Sequence, residues 1–159
     1  MLALVLSVRA ETHTIHFDNQ RGFGTPTLVS NGVVLSTGAD VTVNGPIEAP
    51  ADRFAAVLIV SPLGSCGING ENCTTVDISL TNAIPGEPGG SASSAAIDLV
   101  PPHAFSAVTG FGYYNGCDGA GEDCANANCI AALPGPPPKT IVPVLCQTDD
   151  VNIAIVFCD

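Results

Sequence analysis

Residues Cys73 to Leu80 read CTTVDISL. Apolar Val76, Ile78 and Leu80 alternate with polar Thr75, Asp77 and Ser79, which is the two-residue period of a half-buried β-strand. Upstream, Phe54 to Val60 (FAAVLIV) is continuously apolar, the pattern of a strand buried on both faces. Further out, Ala39 to Asn44 (ADVTVN) and Thr12 to Phe17 (THTIHF) alternate again. Asn31-Gly32 stands between Thr27 to Val29 and Val33 to Leu35, a pairing that calls for a tight hairpin. Downstream, Thr140 to Leu145 and Asn152 to Phe157 (NIAIVF) add two strands. Ile84 to Ser94 (IPGEPGGSASS) reads as a flexible loop, and Leu133 to Lys139 (LPGPPPK) as a stiff polyproline connector. No stretch sustains a period of 3.6 residues. Many short strands joined by Gly/Pro turns predict an all-β chain, folded as an antiparallel β-sandwich.

The chain has 159 residues, enough for one domain with a sizeable core. Hydrophobic residues make up 46% and charged ones 12%, a balance that excludes a disordered acidic tail. Four Lys and Arg face 15 Asp and Glu, a net charge of -11. That balance argues against nucleic acid and anionic membrane surfaces as partners. Leu2 to Val8, followed by Arg9-Ala10, resembles the apolar core and small-residue end of a secretory signal. Residues 1–10 are therefore expected to be a signal remnant, and 11–159 a single secreted domain. An extracellular setting makes disulfides the default use of the seven cysteines, and the odd number leaves one over.

Chemistry-bearing clusters are sparse. Cys117, Cys124 and Cys129 lie close in sequence, but there is no C-x-x-C pair, and His13, His16 and His103 are far away, so neither a metal nor any other cofactor is expected. Asp118, Glu122 and Asp123 offer oxygen ligands of the kind Ca²⁺ takes, but their spacing fits no EF-hand and reads as a solvated turn. No G-x-S-x-G motif is present, and His13 and His16 read as packing or surface residues of the first strand. Asn72-Cys73-Thr74 is an N-glycosylation acceptor. Phe111, Tyr113 and Tyr114 form the one aromatic cluster. In a strand the two tyrosines point to opposite faces, so one can stack on a sugar ring while the other packs.

Three stretches carry a family likeness: FDNQRGFGTPTL (Phe17–Leu28), FSAVTGFGYYNGCDGAGEDCANANC (Phe105–Cys129) and the terminal NIAIVFCD. Together they resemble the thaumatin-like family, above all its short secreted fungal members labelled glycopeptides. The likeness spans nearly all of the chain after the leader and lacks the disulfide-rich second domain of larger members. It implies the bridges Cys66–Cys73, Cys117–Cys146 and Cys124–Cys129. The family's first cysteine pairs with its last; here Arg21 takes the first position, which leaves Cys158 unpaired. A bridge over so long a loop is worth ~4–5 kcal/mol in the chain-entropy treatment.

Larger members of that family carry an acidic cleft of one Arg, one Glu and three Asp. Laid on this chain, Asp77 takes the Glu position, Asp98 lies near the first Asp, and Arg53 stands for the Arg; the other carboxylates have no counterpart. The resemblance therefore implies a non-catalytic protein of the fungal cell wall, antifungal or defence-related. It would bind β-1,3-glucan or a related polysaccharide through Tyr113, Tyr114, Asp77, Asp98 and Arg53. One alternative is a weak endo-β-1,3-glucanase with Asp77 and Asp98 as its carboxylate pair. Another is a self-assembling surface protein, with FAAVLIV and NIAIVF supplying sheet edges and Cys158 cross-linking chains into a dimer or larger assembly in place of a monomer.

Overall fold

The computed structural model of the chain describes residues 10–47, 54–59, 66–83, 93–132 and 141–157. Its strands are β1 (Thr12–Asn19), β2 (Thr25–Ser30), β3 (Val33–Thr37), β4 (Val41–Asn44), β5 (Phe54–Ile59), β6 (Thr75–Ser79), β7 (Ser93–Asp98), β8 (Thr109–Tyr114), β9 (Gly121–Cys124), β10 (Val144–Cys146) and β11 (Asn152–Phe157). Apart from one 3-10 turn at Ile130–Ala132, the described residues contain no helix. The expected all-β class is what the chain adopts. The signal-like residues 1–9, Arg53, Cys158 and most of both Gly/Pro loops lie outside the described residues.

The strands form two sheets. One has five strands in the order β4-β1-β11-β8-β9, the other six in the order β10-β7-β6-β5-β2-β3. Alternation dictates which side chains meet. Ile15 and Phe17 of β1, Phe111 and Tyr113 of β8, and Ile153, Ile155 and Phe157 of β11 face one buried cluster. Leu28 of β2, Val76 and Ile78 of β6, and Ala95 and Ile97 of β7 meet them there. The β2–β3 turn has Asn31 and Gly32 both at positive φ, 48° and 73°, which is the two-residue geometry that matches strand twist. The apolar run at β5 pairs with β2 on one edge and β6 on the other, an interior place in its sheet.

One expectation is corrected. The sheets are not wholly antiparallel, because β1 and β11 run parallel, with Ile15 opposite Ile153 and Phe17 opposite Ile155. A two-residue period reports which residues face the core but not which way a neighbouring strand runs.

Three bridges join the elements. Cys66–Cys73 closes a turn ahead of β6, with Cα atoms 5.4 Å apart. Cys117–Cys146 ties the β8–β9 loop of one sheet to β10 of the other, at 6.0 Å. Cys124–Cys129 holds the end of β9 near the 3-10 turn, at 5.4 Å. These are the pairs implied by the family likeness. Three disulfides are typical of chains that fold in an oxidising compartment, and among the described residues no helix is long and apolar enough to cross a membrane.

A polar latch closes one end. His13 is fully buried; its Nδ1 bonds the Val151 carbonyl at 2.6 Å and its Nε2 lies 3.0 Å from Glu11 Oε1. Glu11 Oε1 also accepts the Asn82 N–H at 2.6 Å, just past β6. Asn82 and Asp150 bond reciprocally, Asn82 Nδ2 to Asp150 Oδ1 and the Asp150 N–H to Asn82 Oδ1. Both sheets are thus tied at the β10–β11 turn.

Ile155 is fully buried at the centre of its sheet. Ile155→Ala is expected to cost about 2–5 kcal/mol in urea unfolding, as other large-to-small core changes do. Ala154→Ser, on the opposite face of the same strand, is expected to stay within about 0.5 kcal/mol.

Candidate functional site

The two sheets differ in what covers their outer faces. Thr27, Val29, Thr75, Ala96 and Asp98 point away from the shared core of the six-stranded sheet, yet are no more than 8% exposed. On the five-stranded sheet the outward side chains reach solvent: Thr12, His16, Thr42, Asn44 and Asp123 are exposed, and Thr14, Ala154, Gly112, Gly121 and Tyr114 half-buried.

Register arranges this open face in rows. Thr42, Thr14, Asn152 and Tyr114 lie across one row, from β4 to β8. The next contains His16, Ala154, Gly112 and Gly121. Asp18, Val156, Gly110 and Asp123 make the third. Beyond His16 the middle row carries only Ala154 and two glycines, so the face is low beside the Tyr114 ring. A Cβ placed on Gly112 would have nothing nearer than the Ala120 carbonyl at 4.0 Å, so the space outside it is open.

Polar groups surround the depression. His16 Nδ1 donates to both carboxylate oxygens of Asp40, at 2.9 and 2.8 Å, and the Phe17 N–H adds a third bond. The His16 bond is the main reason the Asp40 carboxyl is held below its ordinary range. Burial, and secondarily the charge of Asp40, push the Tyr114 phenol above its ordinary range, so it remains a hydroxyl donor. Thr14 and Thr42 share a hydroxyl hydrogen bond at 2.9 Å, and Asn152 Oδ1 accepts the Thr14 N–H at 2.7 Å.

Tyr113 takes the opposite role. It is buried in the core, edge-on to Phe111 with ring centroids 6.2 Å apart. Its hydroxyl donates to the Val144 carbonyl at 2.9 Å, from one sheet to the other. Its ring is therefore closed to a ligand, and burial raises the pKa of its phenol.

Asp77 and Asp98 lie on the other sheet, pointing away from the core, so the structure does not bring them together with Tyr114. They are diagonal neighbours on adjacent strands, because Thr75 is opposite Asp98 and Asp77 opposite Ala96. Such a diagonal spans about 7–8 Å. Asp98 is engaged within its own loop: Oδ1 accepts the Val100 N–H at 2.6 Å, and Oδ2 lies 3.9 Å from His103 Nε2. His103 Nδ1 donates to the Gly70 carbonyl at 2.9 Å, beside the Cys66–Cys73 turn.

The loop acids do not converge. Asp118 Oδ1 accepts the Asn115 N–H within a turn. Glu122 and Asp123 are successive strand residues and face opposite ways. Among the described residues no three His, Cys, Asp or Glu side chains are grouped to hold a metal. Glu122 Oε2 is buried without a hydrogen-bond partner, and burial raises its pKa. Asn72, the glycosylation acceptor, is exposed, while Thr74 of the same motif is buried.

Sequence reasoning missed His16, Asp40, Asn152 and Gly112 as a group. The one available signal was the alternation of Thr14, His16 and Asp18 with apolar residues, which marks an outward stripe but not its neighbours.

Asp40→Asn is expected to bring the Tyr114 phenol pKa down toward its ordinary value, readable in a spectroscopic tyrosine titration. Tyr113→Phe, which leaves the Val144 carbonyl without its donor, is expected to cost about 0.5–1.5 kcal/mol. Glu122→Gln is expected to stabilise the protein at neutral pH. A carboxyl whose folded pKa is raised favours the protonated state, so its penalty grows as pH rises through the carboxylate range and vanishes in the glutamine variant.

No known protein-family model matches the chain, and a search of curated proteins finds no match to it.

Proposed function

We propose that the protein is a secreted, non-catalytic binder of cell-wall polysaccharide, β-1,3-glucan or a related polymer, built on the thaumatin-like sandwich its sequence motifs resemble. The observation that carries this reading is the open face of the five-stranded sheet, with Tyr114 beside the shallow row of Ala154 and Gly112. Sugar rings present flat C–H faces that pack on aromatic rings, and hydroxyls that need donors and acceptors close by. The Tyr114 ring supplies the first. The second comes from the Tyr114 hydroxyl, the His16–Asp40 pair, Asn152 and the Thr14–Thr42 hydroxyls. Two sheets around one core and three bridges accord with the family likeness, and the bridges with an extracellular life.

Depletion of the purified protein by insoluble β-1,3-glucan, with chitin and cellulose alongside, tests the reading. Tyr114→Ala and Gly112→Val are expected to weaken retention about tenfold, ~1.4 kcal/mol, the first by removing the ring and the second by filling the depression. Tyr113→Phe is expected to be retained like the parent. Retention by no polymer overturns the reading.

Hydrolysis is the second reading, because Asp77 and Asp98 share a sheet face at a carboxylate-pair spacing. Against it, Asp98 is buried and already holds the Val100 N–H. Release of reducing ends from β-1,3-glucan, abolished by Asp77→Asn, would restore it.

A further inference from the structure

We infer that this same face selects, among wall polymers, chains that carry protonated amino sugars, taking a glucosamine polymer in preference to an uncharged glucan. The inference rests on the binding reading above and adds the charge class of the ligand. Its basis is where the carboxylates stand relative to the ring. Asp18 and Asp123 occupy the two ends of one row, separated by three strand spacings or about 14 Å. Asp40 closes the margin beside His16, and its charge reaches the Tyr114 hydroxyl. A chain lying in the depression would therefore have a ring to stack on and a carboxylate on each side.

Asp40 is paired with His16, whereas among the described residues no Lys, Arg or His pairs with Asp18 or Asp123. Among the described residues the one Lys or Arg is Arg21, stacked over the Phe23 ring at 4.1 Å. Asp18 accepts only a neutral amide hydrogen bond, from Gln20 Nε2 at 3.0 Å. Asp123 folds back over Gly110, within reach of the depression. An ammonium group on the sugar gains twice here, from the carboxylates and from the face of the Tyr114 ring. An uncharged glucan gains neither, and an anionic polymer is repelled by a chain of net charge -11.

The test is calorimetric titration of three oligosaccharides of equal length: a fully deacetylated glucosamine oligomer, its N-acetylated counterpart and a β-1,3-glucan oligomer, each at low and high salt. The deacetylated oligomer is expected to bind about tenfold tighter than the other two at low salt, and the gap to shrink as salt screens exposed charges. Asp18→Asn, Asp40→Asn and Asp123→Asn are each expected to reduce that preference about two- to fivefold, the scale of an exposed ion pair. Tyr114→Ala and Gly112→Val keep the net charge and are expected to lose the preference along with the binding. Equal affinity for all three oligomers, lost in Tyr114→Ala, overturns the inference and leaves the binding reading standing. A preference that survives Tyr114→Ala and Gly112→Val is attraction by overall charge and also overturns it. Binding of none of the three overturns both.

Discussion

The hydrogen bond from the Tyr113 hydroxyl to the Val144 carbonyl joins the two sheets beside the Cys117–Cys146 bridge. Because successive strand residues point to opposite faces, anchoring Tyr113 inward leaves Tyr114 no direction but outward. The presentation of the candidate binding ring thus follows from a packing event on the other side of the strand. The disulfide reinforces it by tying the loop after Tyr114 to the strand that carries the acceptor. A buried phenol without that carbonyl would be costly, and an exposed one would leave the edge of the core unfilled.

The same alternation gives the two sheet faces different fates. In the six-stranded sheet the outward residues Thr27, Val29, Thr75, Ala96 and Asp98 of β2, β6 and β7 are buried, and Asp98 is used to fix the Val100 N–H and the turn that follows. In the five-stranded sheet the outward residues of β1, β11 and β8 remain wet, and where they are small the surface dips. Gly112 contributes no packing there, and a glycine within a strand weakens it. Its presence leaves the space beside Tyr114 open.

Most of the strand plan was legible in the sequence, because period-two alternation survives in THTIHF, CTTVDISL and NIAIVF and Asn31-Gly32 announces its own turn. The parallel pairing of β1 with β11 was not legible, since direction leaves no mark on a strand's own side chains. The bridges were open from the cysteine positions alone; the family likeness implied all three. At the site, the opposite facing of Tyr113 and Tyr114 could be read, but which one faced the core depended on the partner sheet. His16 and Asp40 are 24 residues apart and meet only through the β1–β4 register, and Asn152 and Gly112 join them only through strands from the other end of the chain. Asp77 and Asp98 were singled out by likeness to an acidic cleft, and they share a face, but on the sheet opposite the aromatic ring.

The parallel pair has a consequence for how the molecule is made. Paired residues on β1 and β11 lie 138 positions apart, so β1 is made long before the strand it pairs with. Until β11 emerges, β1 has only β4 beside it and β8 only β9. Two-stranded pairs of this length are marginal in water. The central strand of this sheet is thus the last of its five in chain order, and it joins two halves, β4-β1 and β8-β9, that have no contact in the sheet without it.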